Sequence, residues 1–435
     1  MSPRSASRHI GGEKDAREIH VLCLAHYFPP ETGALAARMS EHAAEWSRGG
    51  ARVTIVTCAP NYPNGRVFPG YRNRLFQRER VGDLEVIRLW TFLAANEGFF
   101  LRTLNYLSFA LSVLIMLPLL PRPDVVFSTS PNLFCGLSGW FVSRLKRRPW
   151  VLEIRDLWPD SIIAVGALKN RFLLAPFAAL ERFAYRHADR IVCVTDSFVS
   201  KIVERGAVPE KVHVVKNGAD LKAFSIGSGI DFRAQYALGG KVVASYVGTL
   251  GMAHRLENVL HAAEILKGRP EVAILVVGDG AERQRLERMQ RTMGLPNVIF
   301  TGGLPRHEMA AVMEATDIAL VHLAKTPLFR SVIPSKMFEA MAMRRPIVLA
   351  VEGESKAIID RAGAGLTIEP EDPQALADAL AHLADSPELR QRMGDAGRRC
   401  VSAEFDRQKL ANKLLRILAE AANASNAAKP TRYTQ

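Results

Sequence analysis

Two series of short, continuous apolar runs, separated by stretches of helical periodicity, confine this chain to a narrow set of folds. "IHVLCLA" (19–25), "RVTIVTC" (52–58), "LEVIRLW" (84–90), "DVVFSTS" (124–130), "WVLEIRD" (150–156) and "RIVCVTD" (190–196) read as strands of a first half. "KVVASYVG" (241–248), "VAILVVGD" (272–279), "NVIFTGG" (297–303), "DIALVHL" (317–323) and "PIVLAVEG" (346–353) read as strands of a second. Several are apolar without alternation, as strands covered on both faces must be. Strand–helix alternation of this kind implies parallel sheets joined by right-handed crossovers. The expectation is α/β: two Rossmann-like domains facing a cleft, with ligands at the carboxyl ends of the strands.

The expected boundaries are a loose tail over 1–17, a first domain over 18–215, a linker over 216–240 and a second domain over 241–403. A helix over 404–422 is expected to cross back to the first domain, before a second loose tail over 423–435. The linker is placed by "FSIGSGIDFRAQYALGGK", rich in Gly and Ser and without a strong period. The start of the chain, polar and charged, lacks the apolar stretch of a signal peptide.

A net charge of +13 favours an anionic partner: nucleic acid, a phosphorylated small molecule or an acidic membrane surface. No nucleic-acid recognition motif accompanies the basic patches, so that partner is not expected. The five cysteines form no Cys-x-x-Cys pair, which argues against a zinc site or a disulfide framework and for a reducing compartment. Two regions depart from an ordinary soluble pattern. Residues 66–80, "RVFPGYRNRLFQRER", interleave five arginines with Phe68, Tyr71 and Phe76. They read as a solvated loop or as a surface that grips lipid head groups. Residues 99–120, "FFLRTLNYLSFALSVLIMLPLL", are strongly apolar but interrupted by Arg102, Asn105, Ser108, Ser112 and Pro118. The uninterrupted part falls short of the ~20 residues a spanning helix needs. A buried helix of the first domain and a helix dipping into one leaflet are both open readings.

"IPSKMFEAMAMRRPIVLA" (333–350) carries the chemistry. Its apolar residues describe a buried helix and strand, yet Lys336 and Glu339 lie on one side of that helix. Pro334 and Ser335 form a credible helix start with the serine as cap. A lysine in the first turn opposes the helix dipole, a cost that reverses when an anion sits over the helix end. Glu339, one turn later, is a natural acceptor for ribose hydroxyls. The plain alternative is a surface Lys–Glu pair worth ~0.2–0.5 kcal/mol. "SYVGTLGMAHRLEN" (245–258) adds a strand, a glycine turn and a helix, with His254 and Arg255 behind Gly248 and Gly251. Such a turn lets backbone approach a phosphate. "VVGDGAE" (276–282) holds half a dinucleotide fingerprint and reads as structural.

At these residues the sequence resembles the retaining glycosyltransferases of family 4, which have the two-domain GT-B fold. The resemblance spans about residues 19–420. It is carried by "YFPPETGALAARMSEHAAEWSRGGARVTIVT" (27–57), "VHVVKNGAD" (212–220), "VGTLGMAHRLENVLHAAEIL" (247–266) and "PSKMFEAMAMRRPIVLA" (334–350). "RDLWPDS" (155–161) further resembles the branch that builds O-antigen and exopolysaccharide, amino-sugar and fucosyl-type transferases included. The resemblance implies that Gly33, Gly248, His254, Arg255 and Lys336 meet the donor diphosphate and that Glu339 binds ribose. Asp156 and Arg155 fall where the family has its catalytic-cleft pair. Ser331 stands where the family's first motif glutamate would be, and Thr249 and His254 replace its usual Arg and Lys. Arg330 and Ser331 are the candidate sugar contacts, with Arg255, Lys336 and Arg330 left to supply positive charge.

The implied reaction moves a sugar, with retention, from a nucleoside diphosphate sugar (UDP favoured) to a polyprenyl-diphosphate-linked saccharide. It implies a cytoplasmic enzyme held peripherally at an anionic inner-membrane surface. No cofactor and no metal are expected, since Asp-x-Asp is absent from the chain. A nucleotide-sugar 2-epimerase of the same architecture and a non-catalytic nucleotide-sugar binder are the alternatives.

Overall fold

The computed structural model describes residues 19–31, 34–95, 99–130, 132–160, 163, 171–224, 227 and 231–427. The first sheet comprises β1 (His20–Leu24), β2 (Arg52–Cys58), β3 (Phe76–Val81), β4 (Leu84–Leu89), β5 (Val125–Thr129), β6 (Trp150–Ile154), β7 (Arg190–Cys193) and β8 (Val212–Val214). Their order is β3-β4-β2-β1-β5-β6-β7-β8, parallel throughout except for the antiparallel β3–β4 pair. The second sheet comprises β9 (Val242–Val247), β10 (Val272–Val277), β11 (Val298–Gly302), β12 (Ile318–His322), β13 (Ile347–Ala350) and β14 (Gly365–Thr367). Its order is β11-β10-β9-β12-β13-β14. Central strands such as β1, β5, β6 and β10 are buried at every residue, which explains their unbroken apolar sequences.

Each sheet reverses its chain order beside its first central strand: between β1 and β5 in one, between β9 and β12 in the other. Ligands in open α/β sheets bind outside the strand ends at such switch points. Both expected domains are therefore Rossmann-like, and the closing helix does cross back. It runs Arg407–Ala427 instead of over 404–422 and packs on the helix Ala34–Arg48, where Trp46 Nε1 donates to the Ala411 carbonyl at 2.8 Å.

The two chain segments that pass between the domains pair with each other. Ala219 N donates to Phe405 O and Arg407 N to Ala219 O, each at 3.0 Å. Gly218 is required there, because a Cβ would stand 2.1 Å from the Phe405 carbonyl oxygen. Two ionic contacts also span the cleft. Glu354 of the second domain accepts from Ser197 N and Oγ and pairs with Lys216, while Glu41 of the first receives both Arg306 and Arg407.

Some local expectations change. The basic stretch 66–80 is not all loop, since Phe76–Val81 forms edge strand β3. The alternation in FQRERV and the Gly82-Asp83 hairpin turn, with Gly82 at φ 58°, were its signal. Its aromatic residues are half-buried: Phe76 packs on the domain core and the Arg88 guanidinium covers the Tyr71 ring at 4.9 Å. Three-residue strands β8 and β14 are too short and too exposed to show a period. The apolar segment yields the helix Phe99–Ile115, which is neither fully buried nor long enough to span a bilayer. The tail over 1–17 lies outside the described residues, as do residues 428–435 of the second tail.

One buried pair ties the first domain together. Arg38 donates Nε to Glu153 Oε1 at 3.0 Å, and its Nη atoms reach the Val215 and Lys216 carbonyls and Asn217 Oδ1 at 2.9–3.1 Å. It joins the first helix, strand β6 and the start of the interdomain segment. Burial pushes the Glu153 carboxyl up, but Arg38 and Arg155 outweigh that and hold it below its ordinary range. Breaking such a pair strands a buried charge. Arg38→Met is expected to lower unfolding free energy by about 3–5 kcal/mol, read from urea denaturation.

Candidate functional site

The helix Lys336–Ala342 buries Met337, Phe338, Ala340, Met341 and Ala342. That leaves Lys336 and Glu339 on its remaining side. The Lys336 Nζ is buried, has no hydrogen-bond partner among the described residues, and sits 3.7 Å from the centroid of the Tyr246 ring. Burial pulls its pKa down to about 7, against the pull of Glu339. Glu339 is half-buried, and burial pushes its carboxyl up while Arg407, Arg306 and Lys336 draw it back. The two make no ion pair within 4.0 Å among the described residues, so the surface-pair reading fails. Ser335 gives no side-chain cap; its backbone is already helical at φ −61°, ψ −27°.

Gly248 follows β9 at the switch point. Its φ of +143° excludes most side chains, and a Cβ would lie 2.8 Å from Lys336 Nζ. Lysine and glycine loop thus occupy the same few ångströms, at the carboxyl ends of β9 and β12. Gly278, at φ +143°, backs this loop so closely that a Cβ would meet the Gly248 carbonyl oxygen at 1.9 Å.

The other expected donor residues divide. His254 lies beside Lys336, but in a pair: its Nδ1–H donates to the His322 carbonyl at 3.3 Å and His322 returns the bond at 2.7 Å. Burial, then the neighbouring Lys336, lowers its pKa to about 4, so it brings no positive charge. Arg255 is half-exposed and turned to Glu257 and Glu371, away from supplying charge at the lysine. Arg330 is exposed and paired with Glu352 at 2.9 Å, and the Ser331 hydroxyl is spent on the Leu328 carbonyl. Neither is presented as a sugar contact. Gly33 lies outside the described residues.

Arg155 and Asp156 follow β6 on the opposite wall. Burial pulls the Arg155 guanidinium down to about 10, with Glu153 and Asp156 raising it and Arg38 and Arg407 opposing. Arg407 is therefore the electrostatic neighbour of both Arg155 and Glu339, one from each domain. Burial raises Asp156 to about 6, countered by Arg155. Asp156 also lines a small, largely apolar recess with Leu133, Leu137, Trp158 and Glu181. No described interaction joins it to Lys336 or Glu339. The residues missed in the sequence are Arg306, Arg407, Glu41 and the buried His42, whose pKa burial and Arg38, Arg407 and Arg155 drive well down. Arg306 alone carried a signal: it sits in the Gly-Gly-Leu-Pro-Arg turn after β11, at the carboxyl edge of its sheet. Among the described residues no three His, Cys, Asp or Glu side chains group as a metal site.

Paired Rossmann-like domains, with a glycine turn and a buried lysine at the second domain's switch point, define the GT-B class of glycosyltransferase. Residues 33–218 match the Glycosyl transferase 4-like domain and residues 230–400 match the Glycosyl transferases group 1 domain. The chain is a glycosyltransferase of the family-4 type. It is 27% identical over 364 residues to WcaI of Escherichia coli, a protein named for glycosyl transfer in colanic acid biosynthesis; the match covers 81% of this chain and 88% of that one. Sucrose-phosphate synthase from Thermosynechococcus elongatus shares the fold with a TM-score of 0.76 at 18% identity, covering 94% of this chain and 100% of the other. HepE of Anabaena, solved with UDP-glucose, does so with a TM-score of 0.67 at 17% identity, covering 92% and 100%.

Replacing the lysine tests the electrostatics directly. With a folded pKa near 7 against an unfolded value of about 10.4, the unfolded chain binds more protons between the two, so stability rises with pH across that window. Lys336→Met removes this penalty. Its melting temperature is expected to exceed the wild type's most at pH 6 and to converge on it towards pH 9, as read by calorimetry without nucleotide.

Proposed function

We propose that this protein transfers a sugar from a nucleoside diphosphate sugar, with UDP as the favoured nucleotide, to a lipid-linked saccharide in cell-surface polysaccharide synthesis, with retention of configuration. The observation that carries this reading is the Lys336 ammonium, buried against Gly248 and Tyr246 without a hydrogen-bond partner among the described residues. A buried cation is costly until an anion meets it. The adjoining glycine turn brings bare backbone beside that ammonium, and Glu339 stands one helical turn away for ribose hydroxyls. The relative in colanic acid biosynthesis and the fold neighbour solved with UDP-glucose support the same choice of donor and pathway class.

Cleavage of the donor bond leaves charge growing on the diphosphate. Lys336 meets that charge as it develops, inside a site that closure of the domains keeps dry. The acceptor approaches from the first domain, where Arg155 and Asp156 follow the carboxyl end of β6. Retention follows when the donor phosphate itself takes the acceptor's proton on the face the leaving group vacates.

A thermal-shift panel of UDP-, GDP- and dTDP-sugars is expected to give its largest shift with a UDP-sugar, since a ligand of the native state alone raises its melting point. Lys336→Met should weaken that donor at least about tenfold, the loss of one charged hydrogen bond. No shift with any of the three, or full affinity in the variant, overturns the assignment. Incubation with donor alone should give no epimer.

Asp156 is the proposed catalytic carboxylate, a reading supported by its position after β6. Asp156→Asn removes a carboxylate whose pKa burial raises to about 6. The variant is expected to melt higher than wild type at pH 7.5 and to lose the advantage below pH 5, while kcat falls at least about a hundredfold and donor KM changes little. Unchanged kcat removes Asp156 from the mechanism.

A further inference from the structure

We propose that the first domain docks on an anionic lipid bilayer through the exposed apolar stripe of the helix Phe99–Ile115, with a basic rim at its carboxyl end. The proposal rests on the lipid-linked acceptor argued above.

This helix is apolar on its outer face as well as its inner one. Tyr106, Phe109 and Val113 pack in the domain core beside the buried Asn105, Ser108 and Ser112. Asn105 Oδ1 accepts from His26 Nε2 at 2.7 Å, its Nδ2 donates to the Phe92 carbonyl at 2.6 Å, and Ser108 Oγ accepts from Phe92 N at 2.7 Å. Leu104, Leu107, Leu111 and Ile115, spaced three, four and four apart, form one outward stripe with 43–60% exposure each. Phe141 and Leu145, on the adjoining helix Leu133–Lys146, extend it at 42% and 65%. A contiguous apolar patch of this kind marks an interaction surface.

The rim selects the occupant. Lys146 Nζ donates to the Leu120 carbonyl at 2.8 Å and Arg78 Nη2 to the Leu119 carbonyl at 3.1 Å, which brings both cations to the end of the stripe. Arg122 lies close enough to Lys146 to lower its pKa further, after burial, and Arg144 and Arg147 are exposed on the last turn and cap of the same adjoining helix. The helix Phe99–Ile115 itself carries no acidic residue. An apolar ridge ending in arginine and lysine suits acyl chains below and anionic head groups beside them. Among the described residues no helix is long and apolar enough to cross a membrane, so the stripe lies in one leaflet.

The test is co-sedimentation of the full chain with vesicles of phosphatidylcholine alone and with 30% phosphatidylglycerol, at low and high salt. Wild type should pellet with the anionic vesicles. Leu107→Asp/Leu111→Asp should reduce the bound fraction at least about tenfold, and Arg144→Ala/Arg147→Ala should make binding fail at lower salt. Both variants should keep the wild-type melting point and its shift with UDP. That shift tests the donor reading separately, so loss of vesicle binding with a retained UDP shift is the expected signature. Wild type ignoring anionic vesicles, or the aspartate variant pelleting like wild type, overturns the proposal. So does a wild-type dimer that the aspartate variant converts to monomer while neither form pellets, since the stripe would then bind a second copy.

Discussion

An ammonium group held against a tyrosine ring, with no oxygen among the described residues to receive its protons, is the constraint around which the second domain is organised. Lys336 Nζ sits at the point where β9 and β12 diverge and where the Gly248 turn leaves room for nothing larger than hydrogen. A buried lysine commonly finds a carboxylate, and Glu339 is one turn away on the same helix. It does not close on the lysine. Its own charge is balanced chiefly by Arg407 and Arg306. The aromatic face recovers part of what the ammonium loses on leaving water, and burial still drags the lysine towards neutrality. Its neighbours leave the ammonium unsatisfied, the condition on which the proposed diphosphate contact rests.

The balance at Glu339 also explains how the two domains come to share one cleft. Arg407 begins the closing helix, contacts Glu41 of the first domain, donates to the Gly218 carbonyl at 2.5 Å, and lies near Arg155 and Glu339. The crossing segments meet at Gly218 and Phe405, so this arginine stands where the domains are joined. Movement about that junction changes the surroundings of Glu339 and Arg155 together. The two walls of the site are thus coupled through charge as well as through backbone, with Arg38 and Glu153 fixing the first wall from behind.

Much of the fold was legible because buried parallel strands advertise themselves: β1, β2, β5, β6, β9, β10, β12 and β13 are runs that no exposed element could carry. The strands that escaped notice are those whose pattern was diluted. In β3 the arginines that suggested a head-group surface occupy the outward positions of an edge strand. The site was legible where chemistry and local spacing coincide, at Lys336, Glu339 and Gly248. Arg255 and Arg330 looked as available as Lys336 on paper, and only packing revealed that Glu257, Glu371 and Glu352 neutralise them. The opposite error concerns Arg407 and Glu41, which are 366 residues apart. Nothing in a linear pattern announces a contact made by a returning helix.

The helix Phe99–Ile115 was ambiguous in sequence for a related reason. Its polar interruptions left the apolar run too short to span a bilayer and both a buried and a one-leaflet helix open. Their location shows which side of the helix faces the protein. A buried asparagine and two buried serines are tolerable only where hydrogen bonds await them, and Asn105 and Ser108 find theirs on the His26 ring and the backbone at Phe92. His26 belongs to the loop that leaves β1 at the first domain's switch point. The polar side of the helix is therefore anchored to the strand end that faces the cleft, and the leucines are directed outward because the anchor allows no other rotation. Turning the leucines inward would expose Tyr106, Phe109 and Val113 and would orphan the His26 and Phe92 partners inside the protein. The exposed stripe is thus enforced by the interior.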